Sequence, residues 1–218
     1  DGEKAVARAA AGAAGTAAAT DDPALRDARR KALREALSLP GVRRELVDVG
    51  RTLGTVPLLD QDFTLAALRQ RLQQQDPAVV HIASHGVFGD SADTTFIMTY
   101  DELLTLDALQ QLLAAGGRRR APIELITLSA CQTAEGDDRA PLGMSGTAIR
   151  ARARSALGTL WPVADEAAQQ LMAHFYQRLS QPGTAAAGKA AALRAAQLQL
   201  LQHPRLRHPF YWAPFTLV

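Results

Sequence analysis

The sequence predicts an α/β fold: a mostly parallel β-sheet with helices on both faces. Three observations carry that expectation. Short, β-branched, nearly continuous apolar runs such as "AVVHIA" and "IELITLS" have the character of strands buried on both sides. Segments of about a dozen residues with helical apolar spacing stand between them. The chain shows no internal repeat and no coiled-coil pattern, and its 218 residues, 47% hydrophobic, suffice for one large domain with a layered core.

Residues 1–37 are rich in Ala and Arg. Within them "DPALRDARRKALREAL" sets Asp22 before Pro23 and then spaces Leu25, Ala28, Ala32, Leu33, Ala36 and Leu37 as a helix does. "SLPG" (38–41) is a break. It divides an N-terminal segment, 1–37 and partly helical, from a domain covering 38–218. "VRRELVDVGRTLG" then predicts a helix ending at Gly50 or Gly54, "TVPLLD" a short strand, and "TLAALRQRLQQQ" an amphipathic helix with Leu65, Leu68 and Leu72 on one face. "AVVHIASHG" is a strand that stops at Gly86, "TTFIMTY" a strand, and "TLDALQQLLAAGG" a helix with a glycine stop. "IELITLSAC" is a strand ending at Cys131. A loop follows, then a helix around "GMSGTAIRARA", a strand in "SALGTLWPV", two helices in "DEAAQQLMAHFYQRLSQ" and "GKAAALRAAQLQLLQ", and a final strand in "HPFYWAPFTLV".

Composition excludes several function classes. No stretch approaches the roughly 18–20 consecutive apolar residues of a membrane span. The start, "DGEKAVARAAAGAAG", lacks the continuous apolar core of a secretory signal. A single cysteine excludes an intrachain disulfide framework and a multi-cysteine metal site, and is compatible with a reducing cytoplasm. The 24 basic residues nearly balance 22 acidic ones, for a net charge of +2. Basic clusters are short (Arg118–Arg120; Arg150, Arg152 and Arg154), and few aromatics are placed to stack on bases, so nucleic acid is not an expected partner.

Two of the apolar strands run out into a chemically capable residue. "VVHIAS" delivers His85, followed by Gly86; "LITLSA" delivers Cys131. Ligands in open α/β sheets bind beyond the carboxyl ends of the strands. If these two strands are parallel neighbours, His85 and Cys131 leave the sheet at the same edge. The 46 residues from one to the other leave room for a crossover helix and an extra hairpin near "TTFIMTY". A thiol with a pKa of about 8.5 is mostly protonated at neutral pH, and an adjacent imidazole draws off its proton. The N–H groups of Gly86 and Cys131 are suited to an oxyanion hole, and the small Ser129 and Ala130 leave space for a peptide.

Other readings of these residues stand beside that one. A lone cysteine is commonly a small core hydrophobe. His81 shares a sheet face with His85 by strand period and reads as a packed histidine. A metal pair at His81 and His85 has no carboxylate at ligand spacing. "GMSGT" lacks the Gly-x-Ser-x-Gly pattern of a serine hydrolase and reads as a helix start.

The stretches "VVHIASHGVF" and "ELITLSACQTAEGD" resemble the His-Gly and Ala-Cys motifs of the caspase-like cysteine peptidases. In that pattern the His stands about 50 residues before the Cys, which Gln, Arg or Gly follows; Gln132 follows here. The closer resemblance is to the CHAT-domain peptidases, caspase-like domains often linked to tetratricopeptide repeats and related to separase. "SALGTLWPVADEAAQQLMAHFYQRL", "AAALRAAQLQLL" and "HPFYWAPFTLV" resemble the remainder of that domain, so the similarity runs from about Leu39 to Val218. It implies a caspase-like sheet and a cysteine endopeptidase, with His85 as base, Cys131 as nucleophile, and Gly86 and the Cys131 amide holding the oxyanion.

On the same resemblance Gln132 and Ser129 lie beside the substrate. Asp165 matches an acidic residue that relatives carry after the tryptophan, implying a site for a basic P1 side chain; its alternative role is the N-cap of the helix that follows. No metal or organic cofactor is required. The implied partners are a protein or peptide substrate and an activating sensor or tetratricopeptide-repeat partner, with loops 88–95 and 132–143 as the switch. Two departures are visible: Arg152 stands where relatives have glycine, and the Leu-Pro-rich strand with which such domains often begin is missing. The Arg152 departure keeps a second reading open, a catalytically silent pseudoprotease acting as an interaction module.

Overall fold

A computed structural model describes residues 39–87, 96–114, 122–129, 153–181 and 188–218. The first helix, α1, spans Pro40–Leu53 and opens on proline, whose missing N–H costs nothing in a first turn. It stops at Gly54, where φ is +67°. Thr55 N–H reaches back to Gly50 O at 2.8 Å and closes the left-handed C-terminal turn that glycine permits. A 3₁₀ turn follows at Asp60–Asp62. Helix α2, Leu65–Gln75, starts at Thr64, whose side chain accepts from Ala67 N–H and satisfies one of the first-turn donors.

Strand β1 (Val79–Ala83) comes next, then β2 (Gly86–Val87), β3 (Phe96–Met98) and β4 (Leu103–Thr105). Helix α3 (Leu106–Ala114) leads towards β5 (Leu125–Ser129). After β6 (Ala156–Thr159) come α4 (Asp165–Leu179) and α5 (Gly188–Gln202). A 3₁₀ turn at Pro209–Tyr211 precedes the last strand, β7 (Phe215–Leu217).

The central sheet has the order β1-β5-β6-β7, with β1, β5 and β6 parallel and β7 antiparallel. Each strand alternates its side chains between two apolar layers. Val80, Ile82, Ile126, Leu128 and Ala156 pack with α2, α3 and the smaller β2-β3-β4 sheet. Leu125 and Leu157 pack with Val49, Phe175, Leu171, Ala196 and Phe215 on the side of α1, α4 and α5. All five residues of β5 and all four of β6 are buried, as expected of strands covered on both faces. The fold is therefore α/β, with a mostly parallel sheet flanked by helices.

Several local expectations change. "TVPLLD" is not a strand: Val56 is exposed and the segment ends in the 3₁₀ turn, closed by Phe63 N–H on Asp60 O. Its apolar residues have no neighbouring strand to pair with, and Pro57 lacks a donor. "SLPG" is a boundary in which Pro40 already belongs to the helix. The hairpin expected near "TTFIMTY" is β3–β4, antiparallel, with Phe96 opposite Thr105 and Met98 opposite Leu103. The helices predicted at 22–37 and around "GMSGTAIRARA" lie outside the described residues, apart from Ala153.

Candidate active site

His85 stands two residues past the end of β1, and its backbone is held from one side. Met98 N–H donates to His85 O at 2.9 Å, and Ser84 Oγ donates to Met98 O at 2.6 Å. Gly86 then pairs with Ile97. Because the bond to His85 O brackets that pair, Gly86 and Ile97 form a non-hydrogen-bonded pair of the antiparallel ladder, which leaves the Gly86 N–H pointing away from β3. The imidazole of His85 is on a half-buried residue, and Gly86 is buried.

Beside β1, in parallel, runs β5, and the register places Ala83 opposite Ser129 as the last pair. The chains leaving both strands therefore emerge at one edge, the carboxyl edge where ligands of such sheets bind. Ser129 is fully buried, and its Oγ has no hydrogen-bond partner among the described residues. It belongs to the interior of the sheet. Cys131, Gln132, the loops 88–95 and 132–143, Arg118–Arg120, Arg150 and Arg152 lie outside the described residues. Arg154, third of the second basic cluster, is in an ion pair with Glu124 at 3.3 Å on the surface.

Asp165 is the first residue of α4, whose N-cap is Ala164. Its carboxylate does not cap its own helix: Oδ2 accepts from Gly41 N–H at 2.6 Å, in the first turn of α1. One carboxylate thus sits at the positive ends of two helices. The approach is close enough that a methyl group on Gly41 would lie 2.5 Å from the Asp165 carboxyl carbon. Asp165 Oδ1 is buried without a hydrogen-bond partner among the described residues.

His81 is packed, as its position inside a strand suggests, but among polar groups. Its Nε2 lies 2.8 Å from Glu45 Oε1 and its Nδ1 3.1 Å from Tyr176 Oη, which in turn lies 2.8 Å from Thr127 Oγ1. The His81 and Glu45 side chains are 5% and 0% exposed. A carboxylate only accepts, so the imidazole proton is on Nε2 and donates to Glu45. The Tyr176 hydroxyl stands between His81 Nδ1 and Thr127 Oγ1 and bonds to both. Burial pushes the Tyr176 hydroxyl well above its ordinary pKa of 10.0, so the phenol keeps its proton.

Glu45, Thr127 and Tyr176 were not singled out by the sequence. The available signal was a glutamate on the same helical stripe as Val42 and Val49, both buried.

At the far end of the hairpin, Asp101 Oδ1 accepts from Leu65 N–H at 3.0 Å, and Tyr100 N–H donates to Phe63 O at 2.8 Å. The Leu65 amide holds the Asp101 carboxyl below its ordinary 3.8. The strand unit that grips His85 is thereby tied to the start of α2. No group of three or more metal-ligating side chains occurs among the described residues, and none of their helices is long and apolar enough to cross a membrane.

No curated protein matches the chain. The family model for the CHAT domain matches residues 3–218, and so runs through the Ala/Arg-rich segment as well as the sheet. With that match over nearly its whole length, and with a mostly parallel sheet delivering a His-Gly pair at its carboxyl edge, the chain belongs to the CHAT-domain family, which is related to the caspase-like cysteine peptidases.

Proposed function

We propose that this chain, with residues 38–218 as its catalytic domain, is a cysteine endopeptidase in which His85 and Cys131 form the reacting pair. The observation that supports it most is the parallel register of β1 and β5. Their last pair is Ala83 with Ser129, and in sequence His85 and Cys131 each follow two residues later. The family match supports the same reading.

In the first step His85 takes the proton of the Cys131 thiol, and the sulfur attacks the peptide carbonyl carbon. The carbonyl electron pair moves to oxygen, where the N–H groups of Gly86 and Cys131 stabilise the charge. The tetrahedral adduct collapses to a thioester as the C–N bond breaks, and the imidazolium returns its proton to the leaving amine. Water then adds to the thioester with His85 again taking a proton, and the acid product leaves as the thiol is restored. On the family resemblance a basic P1 side chain would meet the Asp165 carboxylate, whose Oδ2 already accepts from Gly41 N–H. Activation by a sensor or tetratricopeptide-repeat partner belongs to the same reading, carried by the family resemblance.

The chain's single cysteine makes the pairing testable. The rate of iodoacetamide alkylation is measured against pH for the parent protein and for His85→Ala. Fast alkylation persisting well below pH 8 in the parent, and slowed by loss of the imidazole, is the expected result. Slow alkylation that His85→Ala leaves unchanged would overturn the proposal and favour the silent interaction module.

A further inference from the structure

We propose that His81, held by Glu45 and Tyr176, is a positioning residue for the reaction above, fixing the end of β1 so that the His85 imidazole stands in reach of the thiol. The inference rests on the His85–Cys131 reading. It starts from a buried polar chain that the reaction steps do not use.

Four side chains from four elements make that chain: Glu45 on α1, His81 on β1, Thr127 on β5 and Tyr176 on α4. Glu45, Thr127 and Tyr176 are each 0% exposed. Such a group is an expensive way to hold a core together. Taking a carboxylate out of water costs several kcal/mol, roughly cancelled by its partners, and apolar residues of similar volume often do as well or better. The Glu45 Oε2, buried and without a hydrogen-bond partner among the described residues, leaves part of that cost uncompensated. Stability alone is a poor account of the chain.

Its location offers a better one. His81 pairs with Thr127 across β1 and β5, two register steps before Ala83 meets Ser129. The Tyr176 hydroxyl bonds to both members of that cross-strand pair. It therefore cross-links the two strands that lead to the reacting edge, from above the face, and gives them a directional constraint that apolar packing lacks. Apolar contacts tolerate sliding by tenths of an ångström, whereas hydrogen bonds of 2.8–3.1 Å weaken steeply with misalignment.

On the other flank Glu45 anchors the imidazole to α1. That helix is itself pinned on the same stripe by Gly41 to Asp165 and by Asp48 to Gln169, the latter at 3.2 Å. Strand β1 is thus gripped four residues before His85 by the polar chain. It is gripped again at Ser84 and His85 by Met98. A base misplaced by about 1 Å loses on the order of a hundredfold in rate, so double fixation of this short stretch has a use at the edge.

The test is a double-mutant cycle read by the single thiol. Tyr176→Phe removes the shared hydroxyl and keeps the ring packing; Thr127→Val, nearly isosteric, is the second variant should the first not fold. Each is made in the parent and in the His85→Ala protein, with folding checked by thermal midpoint and circular dichroism. The expected result is alkylation of Cys131 at pH 7 slowed about tenfold or more in Tyr176→Phe, with its pH profile moved toward that of His85→Ala. In the His85→Ala background the same substitution changes nothing, because its effect travels through the imidazole.

A lowered midpoint with an unchanged alkylation profile overturns the positioning role and leaves the reacting pair intact. Equal slowing with and without His85 overturns it too, since the effect then bypasses the base. An alkylation rate indifferent to His85→Ala overturns the reacting pair itself, and this inference with it.

Discussion

Replacing Asp165 by alanine tests the most unexpected contact in the structure. The wild-type carboxylate accepts from Gly41 N–H at 2.6 Å, with the two residues 124 positions apart. A hydrogen bond to a charged group is worth about 1.5–3 kcal/mol. The same negative charge also lies at the N-termini of α4 and α1, each such placement worth about 0.3–1 kcal/mol. Solvent reaches this partly buried site, so a net loss of about 2 kcal/mol is expected for Asp165→Ala. For a unit of this size that lowers the thermal midpoint by about 4–8 °C. Asp165→Asn keeps an acceptor oxygen and loses the charge, and should fall about halfway.

Gly41 supplies the internal control. A methyl group there would stand 2.5 Å from the carboxyl carbon and Oδ2 of Asp165, so Gly41→Ala is costly in the parent and much cheaper once Asp165 is alanine. The assay is thermal denaturation of the four proteins of this cycle, followed by circular dichroism. An unchanged midpoint in Asp165→Ala, or equal costs of Gly41→Ala in both backgrounds, would refute the bridging account. If Asp165 also receives a basic P1 side chain, Asp165→Asn lowers kcat/KM for Lys and Arg substrates more than for Leu substrates, at a temperature where both proteins are folded.

Three further outcomes are expected. Leu171 is fully buried among α4, α5 and the sheet, so Leu171→Ala should cost about 2–5 kcal/mol, read by urea denaturation. Gly54→Ala, at φ +67°, should cost about 1 kcal/mol by the same measurement, because a Cβ disfavours the left-handed turn that closes α1. Asp101 is held below its ordinary pKa, chiefly by Leu65 N–H. A depressed folded value means stability that is present above the unfolded pKa, about 4, and lost as pH falls through the folded value. Asp101→Asn should therefore lower the thermal midpoint at pH 7, and the gap between variant and parent should close as pH falls through the folded value.

What could be read from the chain follows the range of the interactions involved. The β-branched runs that became β1 and β5 announce themselves, because a strand buried on both faces has no polar alternation to hide it. The helix stop at Gly54 is likewise local. Strand β4 went unnoticed as a separate element because Leu103–Thr105 runs directly into Leu106 and α3, where helical spacing already accounts for the leucines. "TVPLLD" misled for the opposite reason: its apolar residues suit a strand, but no ladder passes there.

For the site, His85 and Gly86 were legible from the end of an apolar run, and the structure puts that run beside the parallel strand that leads towards Cys131. The partners of His81 were not legible. Glu45 is 36 residues away and Tyr176 95, and pairing over such separations leaves no periodic trace. The same holds for Asp165, whose position at a helix start suggested capping of its own helix, whereas the donor it serves belongs to another.

The measurement that bears most directly on the central claim is digestion of a diverse peptide library, with the new N-termini identified by mass spectrometry. It is run with the parent protein, Cys131→Ala and His85→Ala, all confirmed as folded. The account predicts cleavage by the parent, none by Cys131→Ala, and a loss of about 100-fold or more in His85→Ala, the usual worth of a positioned general base. Cleavage that survives the loss of Cys131, or cleavage by the parent that His85→Ala leaves unchanged, would contradict it.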